Sequence, residues 1–226
     1  MKDIVLAAHQ PQYLPYLGYF HKMKHADVFV ILDDVQFKKN EWQNRNRVKG
    51  KDKKEIWLTV PVIHRFGQAI NEVIIRNDIK WQRKHKNTII TYYSKAKHFY
   101  LFDKFKILWE KEYEKLVDVN LDSIKIIMEI LKIKTPLYLS SELKIKETKT
   151  KRLVALCKEF SAKYYLSGIG AKDYLDVELF KKEGIEVIWQ DFKHPVYNQL
   201  WGDFVENLSA IDIILNEGEK AAEMIP

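Results

Sequence analysis

The first third of the chain alternates short apolar runs with a segment of helical length. Residues 4–7 and 27–32 are apolar runs of strand length, and residues 17–25 between them are long enough for a helix. A strand, a helix and a strand within about thirty residues are typical of a βαβ unit, which joins parallel strands. Residues 56–60 and 73–75 have the composition of two further strands.

Residues 80–132 show helical spacing instead. Their apolar positions recur every three or four residues, for example at Leu121, Ile124, Met128 and Leu131. We expect two or three helices here, packed on the sheet or beside it.

The last third returns to alternating elements. Residues 136–139, 164–166 and 185–189 predict strands, and residues 150–160 and 176–183 predict helices. The glycine that follows residue 183 is expected to end the second helix, because glycine readily adopts the conformation found just beyond a helix C-terminus.

These patterns together predict an α/β protein with a Rossmann-like parallel sheet flanked by helices. A length of 226 residues suits a single domain over residues 1–226, in which residues 80–135 form a helical annex. Ligands of open parallel sheets bind beyond the carboxyl ends of the strands. We therefore expect the loops after the strands to meet at one rim of the sheet.

Composition narrows the classes of function. The formal net charge is +7, but only six of the 38 basic residues are arginines, so a lysine-rich solvated surface explains the charge and nucleic-acid binding is not expected. The longest apolar runs are far shorter than the roughly 20 residues of a membrane helix, and no secretory signal is evident, so we expect a cytoplasmic protein without membrane insertion. The single cysteine, Cys157, is predicted on a buried helix face.

The first loop, AHQPQYLPYLGYF at residues 8–20, contains the most unusual group of side chains. His9 is a candidate general base, because the ordinary pKa of histidine lies near neutrality. Gln10, Gln12 and Tyr13 are candidates for hydrogen bonds to a polar substrate, and the two prolines would hold the loop stiff. The alternative is a structural proline-rich turn.

The loop after the second strand carries a pair of carboxylates, Asp33 and Asp34, with Gln36 close behind. Asp33 is a candidate catalytic residue, and the other two are candidate substrate ligands. The neighbouring residues add no further metal ligands, so no metal site is predicted. Capping of a turn is the alternative role for the aspartates.

Amides and arginines concentrate at Asn44, Arg45, Asn46 and Arg47. The planar guanidinium group matches the geometry of phosphate and carboxylate, so these residues are candidates to bind a small anionic ligand. An exposed surface without function is the alternative.

The chain after the later strands supplies further candidates. Ser167, Gly168 and Gly170 form a turn predicted to lead into a helix, where backbone N–H groups bind phosphate or carboxylate; a plain turn is the alternative.

Beyond the last strand, Asp191 and Trp201 are candidate sugar ligands, and His194 is a second candidate for the catalytic base. Core packing explains some of the aromatic residues of this region equally well. No standard hydrolase, kinase or zinc-protease motif occurs.

Long stretches of the sequence resemble the WbqC-like protein family. These stretches are HQPQYLPYLGYF, ADVFVILDDVQFKKNEWQNRNRVK, LTVPV, YLSGIGAKDYLD and WQDFKHPVYNQLWGDFVENLSAIDIILNEG. The resemblance extends through nearly the whole chain, with residues 80–135 the least distinctive. It implies a role in bacterial surface-polysaccharide or O-antigen biosynthesis.

The segment from the first strand to ADVFVIL is also similar to the nucleotidyltransferase and pantothenate-synthetase superfamily. That superfamily binds ATP phosphates with a His-x-Gly-His element. This chain has Tyr16 and Tyr19 where the two histidines would stand, so His9 does not inherit their role. Tyr16 is retained as a candidate substrate ligand.

Together, the resemblance and the rim residues suggest three hypotheses. The first is an acyl or aminoacyl transferase that acts on an amino sugar or a nucleotide-linked amino sugar, with His9 as the base, Asp33 orienting the substrate, and the arginines holding an anionic group. The second is an ATP-dependent adenylating or ligase-type enzyme, and the third is a non-catalytic sugar-binding accessory protein. The sequence names no cofactor.

Overall fold

The computed structural model of the protein describes residues 3–51 and 54–226. The strands in this part of the chain are β1 (Ile4–His9), β2 (Val28–Ile31), β3 (Arg45–Lys49), β4 (Glu55–Thr59), β5 (Val62–Ile63), β6 (Ile74–Ile75), β7 (Leu137–Leu139), β8 (Ala162–Ser167) and β9 (Glu186–Trp189). The α-helices are α1 (Leu17–Lys24), α2 (Trp81–Tyr93), α3 (Phe102–Phe105), α4 (Ile107–Glu110), α5 (Leu116–Ile130), α6 (Lys149–Glu159), α7 (Val177–Lys182) and α8 (Ala210–Glu217).

Five of these strands form the central sheet, in the order β7-β2-β1-β8-β9, and every neighbouring pair is parallel. Helices flank the sheet, so the predicted α/β class with a Rossmann-like parallel sheet is confirmed. The chain leaves β1 toward β2 and β7 on one side and later returns to the other side for β8 and β9. The boundary between β1 and β8 is therefore a topological switch point, where open α/β sheets form a crevice for ligands.

The sheet is buried on both faces. In β1, Leu6 and Ala8 belong to one apolar cluster and Ala7 to the other, because successive side chains of a strand point to opposite faces. This double burial explains why the first two strands are continuous apolar runs rather than alternating ones.

Two antiparallel hairpins accompany the central sheet. Strand β3 pairs with β4, and β5 pairs with β6. The predicted strands at residues 56–60 and 73–75 correspond to β4 and β6. Strand β3 was not predicted, because its buried positions are occupied partly by polar residues, among them Asn46 and Lys49.

The helical middle of the chain contains four α-helices, α2 to α5, rather than the two or three expected. The region between α2 and α5 is divided into two one-turn helices, α3 and α4, and its periodicity does not reveal the break between them. Ile89, Phe105 and Ile127 of this region are fully buried in the same apolar cluster as Phe29 of β2. The helical segment therefore packs against the sheet through a continuous core.

The helices of the last third follow the sequence pattern, with one exception. The glycine after residue 183, Gly184, has φ +74° and follows α7, as predicted. Cys157 is buried and free, on α6. Helix α8 was not predicted; almost all of its residues are buried, among them the polar Asp212 and Asn216.

Among the residues that the structure describes, no helix is long and apolar enough to cross a membrane.

Candidate functional site

A cleft of about 1020 Å³ opens at the carboxyl ends of β1, β8 and β9, at the topological switch point. Segments far apart in sequence supply its walls, as expected for loops at one edge of a parallel sheet. Its lining comprises Ala8, His9, Gln10, Tyr16, Gly18, Tyr19, Lys22, Leu32, Val35, Lys38, Lys149, Thr150, Arg152, Leu153, Tyr165, Ser167, Gly168, Ile169, Gly170, Ala171, Tyr174, Leu175, Gln190, Phe192 and Asn207.

His9 stands at the end of β1 and lines the cleft. Its Nδ1 lies 3.1 Å from the carbonyl oxygen of Gln10, and the edge of its ring packs on Tyr19. A carbonyl can only accept, so Nδ1 carries the proton and Nε2 keeps a free lone pair. Burial, together with the positive charge of Lys22, lowers the pKa of His9 to about 3, so the ring is neutral at pH 7.

Lys22 extends from α1 into the same cleft and is 4% exposed. Its Nζ donates to the carbonyl oxygen of Ala8 at 2.8 Å, and it has no carboxylate partner among the described residues. Burial lowers its pKa to about 8. An ammonium group has three donors, so Lys22 retains hydrogen-bonding capacity for a ligand in the cleft.

The described lining of the cleft contains no aspartate or glutamate, whereas Lys22, Lys38, Lys149 and Arg152 all contribute to it. Arg152 is partly neutralised by Asp34 behind the wall, with both carboxylate oxygens 2.6 Å from its Nη2. This pair and the hydroxyl of Ser140 hold the pKa of Asp34 below its usual value against the opposing effect of burial. The cleft therefore has a net positive lining suited to an anionic ligand.

Ser167, Gly168 and Gly170 line the opposite wall, after β8. The turn continues into a single 3₁₀ turn, Ile169–Ala171, and the next α-helix starts only at Val177. The turn therefore leads first into this 3₁₀ turn, and α7 lies close to the helix predicted at residues 176–183. A side chain added at Gly170 would meet no atom within 4 Å, so the backbone of this wall is open to a ligand.

The third wall joins the loop after β9 to the start of α1. Gln190 is buried and donates through Nε2 to the carbonyl oxygen of Gly18 at 2.7 Å, and the ring of Phe192 packs edge-on against Tyr16. A Cβ on Gly18 would come within 2.4 Å of the Tyr16 ring. Glycine at this position therefore leaves room for the Tyr16 ring beside the start of the helix.

Gln10 also lines the cleft, and its Oε1 accepts a hydrogen bond from Nε2 of Gln43 at 2.8 Å. Of the residues predicted from the sequence, the structure thus brings six to the cleft: His9, Gln10, Tyr16, Ser167, Gly168 and Gly170. Asp34 contacts Arg152 of the lining but does not line the cleft itself.

Asp33 lies away from the cleft lining and is 2% exposed. Its carboxylate accepts from the backbone N–H and hydroxyl of Ser141, from the hydroxyl of Ser140 and from the amide of Asn71. These contacts join the end of β2 to the end of β7 and occupy the oxygens that a substrate would need.

Most of the other predicted ligands near Asp33 and the first loop form part of the scaffold. Tyr13 is fully buried, and its hydroxyl contacts His85 and Trp109, each at 3.0 Å. Asn44 and Asn46 are buried and bind the carbonyl oxygens of Val60 and Leu14. The remaining residues of this kind are Gln12, which is 5% exposed, and Gln36, which is exposed and lies outside the cleft lining.

Five more predicted residues lie outside the cleft lining. Arg45 and Arg47 are on the outward face of β3. His194 is half-buried with Nδ1 2.9 Å from the carbonyl oxygen of Pro195, and Trp201 donates from Nε1 to the carbonyl oxygen of Tyr92. Asp191, a fifth such residue, is exposed.

Sequence reasoning missed Lys22, Arg152 and Gln190 as lining residues of the cleft. For Lys22 the signal is weak, because Lys24 on the same short helix is exposed and nothing in the sequence separates the two lysines. No comparable signal marks Arg152, because its contact with Asp34 spans 118 positions of sequence. Among the residues described, no group of three or more histidines, cysteines or carboxylates is arranged to hold a metal ion.

The fold and the cleft define an α/β protein with a Rossmann-like strand order and a crevice with a cationic lining at the switch point. The chain belongs to the WbqC-like protein family, which it matches over residues 10–224. It is also 34% identical over 230 residues to a protein of Mycobacterium tuberculosis (strain ATCC 25618 / H37Rv) described as uncharacterized protein Rv1507c. That similarity covers 100% of this chain and 98% of the mycobacterial protein. No solved structure matches the chain significantly.

Proposed function

We propose that the protein is a cytoplasmic transferase of bacterial surface-polysaccharide biosynthesis that binds a nucleotide-linked amino sugar in the cleft and transfers an acyl or aminoacyl group to its amine. The observation that carries the proposal is Lys22, a buried amine that lines the cleft with no described carboxylate partner. A diphosphate group would supply the missing negative charge and accept the remaining N–H donors of Lys22. The resemblance to proteins of O-antigen gene clusters supports the choice of an amino sugar.

His9 is the base of the proposed reaction. The amine nitrogen of the sugar attacks the acyl carbonyl carbon, a carbon–nitrogen bond forms, and the bond from that carbon to the leaving group of the donor breaks. Nε2 of His9 takes the proton that the amine loses and passes it to the leaving group. The free lone pair on Nε2 supports this role, because Nδ1 is committed to the Gln10 carbonyl.

The low pKa of free His9 is compatible with this role if the ligand is an anion. Lys22 contributes to the lowering of the His9 pKa through its positive charge. A bound phosphate would offset that charge and raise the pKa of His9 toward neutrality, where a general base is most effective.

The first test is calorimetric binding of UDP-glucosamine to the wild type and to Lys22→Met. Loss of a charged hydrogen bond predicts affinity weaker by about tenfold or more in the variant. Lys24→Met is the matched control, because Lys24 is exposed on the same helix and lies outside the cleft lining. Equal affinity of the wild type and Lys22→Met, or no binding by either, would contradict the proposal.

The second test is turnover. Purified protein is incubated with nucleotide-linked amino sugars and a panel of acyl and aminoacyl donors, and products are detected by mass spectrometry. A product is expected with the wild type and is expected to be lost in His9→Gln, while binding of the nucleotide sugar is retained. Binding without any product across the panel would leave only a sugar-binding role and would refute the transferase.

A second candidate function is ATP-dependent adenylation. The strand order β7-β2-β1-β8-β9 favours it, because nucleotides bind at the switch point of sheets with this order. Tyr16 and Tyr19 argue against the superfamily's phosphate-binding element, since they stand where its histidines would, and each packs against another ring, Phe192 for Tyr16 and His9 for Tyr19. Calorimetry with ATP and an assay for released pyrophosphate separate the two candidates. Tight ATP binding, with pyrophosphate released when an acid substrate is added, would favour adenylation.

A further inference from the structure

A second group of side chains lies on the outward face of the β3–β4 hairpin. Trp42 and Trp57 stack with ring centroids 5.7 Å apart, and they are 39% and 40% exposed. The guanidinium carbon of Arg45 lies 4.2 Å from the centroid of Trp57, and that of Arg47 contacts both rings. We call these four residues the Trp–Arg patch.

The two arginines of the patch differ in their partners. Arg47 donates from Nη1 to both carboxylate oxygens of Glu55 and from Nη2 to the carbonyl oxygen of Asn207. Arg45 has no carboxylate within ion-pair distance among the described residues, and its Nε is buried without a hydrogen-bond partner. The patch therefore contains a guanidinium group over an indole ring whose charge no described carboxylate neutralises.

The patch is connected to the cleft. Asn207, whose carbonyl oxygen Arg47 binds, is one of the residues that line the cleft. Gln43, the neighbour of Trp42, donates to the side chain of Gln10 in the cleft wall. A ligand on the patch would thus be held by segments that also shape the cleft, but by none of the groups assigned to the proposed reaction.

From this arrangement we propose that the Trp–Arg patch binds an acidic saccharide. The carboxylate of a uronic acid would bind Arg45, and the apolar face of a sugar ring would pack on Trp42. Guanidinium binds carboxylate in a planar, paired geometry, and aromatic rings present an apolar surface that suits the C–H face of a sugar. A planar nucleobase would use the same rings, but the four residues of the patch hold one unpaired cation, Arg45, because Arg47 is paired with Glu55, whereas a phosphate backbone is held by a row of cations.

Calorimetric titration with trigalacturonate, and with neutral cellotriose as the comparison, tests the proposal. Saturable binding of the acidic trisaccharide and at least severalfold weaker binding of the neutral one are expected. Arg45→Gln is expected to weaken trigalacturonate binding by about tenfold, as is Trp42→Leu. Arg76→Gln is the matched control, because Arg76 is an exposed arginine already paired with Asp78.

Four outcomes would overturn the proposal: no saturable binding, equal binding of both trisaccharides, unchanged affinity in both patch variants, or tighter binding of a single-stranded oligonucleotide than of trigalacturonate. Thermal unfolding of each variant checks that the fold is intact, and two variants at different positions keep the result interpretable if one is unstable. Lys22→Met is expected to leave trigalacturonate affinity unchanged, which separates failure at the patch from failure at the cleft.

Discussion

Replacement of Lys22 by methionine should stabilise the free protein at neutral pH, even though it removes a proposed ligand contact. Burial moves the pKa of Lys22 from 10.5 to about 8, which corresponds to a cost of about 3 kcal/mol for keeping the folded side chain charged. Methionine has similar length and carries no charge, but it loses the hydrogen bond to the Ala8 carbonyl, worth about 1 kcal/mol. The expected net gain in the free energy of unfolding at pH 7 is about 2 kcal/mol.

The gain should depend on pH in a defined direction. Between about 8 and 10.5 the unfolded chain keeps the proton on this lysine while the folded protein has released it, so the stability of the wild type relative to the variant rises through this window. The advantage of Lys22→Met is therefore complete below about pH 8 and gone by about pH 10.5.

Urea denaturation of the wild type, Lys22→Met and Lys24→Met at pH 7 and pH 10 measures the effect. Lys24→Met should lower the free energy of unfolding by no more than about 1 kcal/mol, because Lys24 is exposed and loses one hydrogen bond, to the carbonyl oxygen of Ile225. If Lys22→Met were less stable than the wild type at pH 7, the buried ammonium would be stabilised by its surroundings. The case for a missing anionic ligand would then fail.

Three further predictions follow from the same geometry. Between pH 6 and pH 4 the unfolded wild type protonates His9 while the folded protein, with a His9 pKa near 3, does not, so acid destabilises the wild type. In His9→Gln this contribution is absent, and the free energy of unfolding should fall less steeply by about 1.4 kcal/mol per pH unit, as measured by urea denaturation across this range. Asp33→Ala should destabilise the protein by about 3 kcal/mol through loss of its hydrogen bonds to Ser140, Ser141 and Asn71, with UDP-glucosamine affinity unchanged by calorimetry. Gly18→Ala should displace the Tyr16 ring and weaken that affinity severalfold, whereas Gly170→Ala, with nothing near its Cβ, should not.

The sequence was sufficient to predict the central sheet because each of its strands is a short apolar run bounded by polar residues. Residues 4–7 and 27–32 are buried on both faces, so their hydrophobicity is continuous and easily recognised. Strand β3 has the opposite property. Its Asn46 and Lys49 are buried only because distant groups satisfy them, the Leu14 carbonyl for Asn46 and the Gln199 side chain for Lys49. Local pattern cannot reveal partners that are about 30 to 150 positions away.

Only some residues of the candidate site could be predicted, because the local pattern does not show which way a loop side chain points. The rule that loops after parallel strands share an edge was enough to bring together His9 and the Ser167–Gly170 turn. It could not distinguish side chains that face the cleft from those that face the scaffold. Tyr13 and Asp33 follow strands just as His9 does, but one fills the core and the other joins β2 to β7. Which way a loop residue points depends on tertiary contacts.

Lys22 and His9 together indicate the charge of the ligand that the cleft would bind. Each is a basic group whose pKa is lowered by burial, and the charge of Lys22 lowers that of His9 further. Proteins normally offset a buried cation with a carboxylate, and Asp34 does this for Arg152 a short distance away. The carboxylate of Asp34 therefore pairs with Arg152 and not with Lys22, so the charge of Lys22 is available to a ligand in the cleft. An anionic ligand is the simplest group that removes the cost of burying Lys22 and restores the basicity of His9 in the same event.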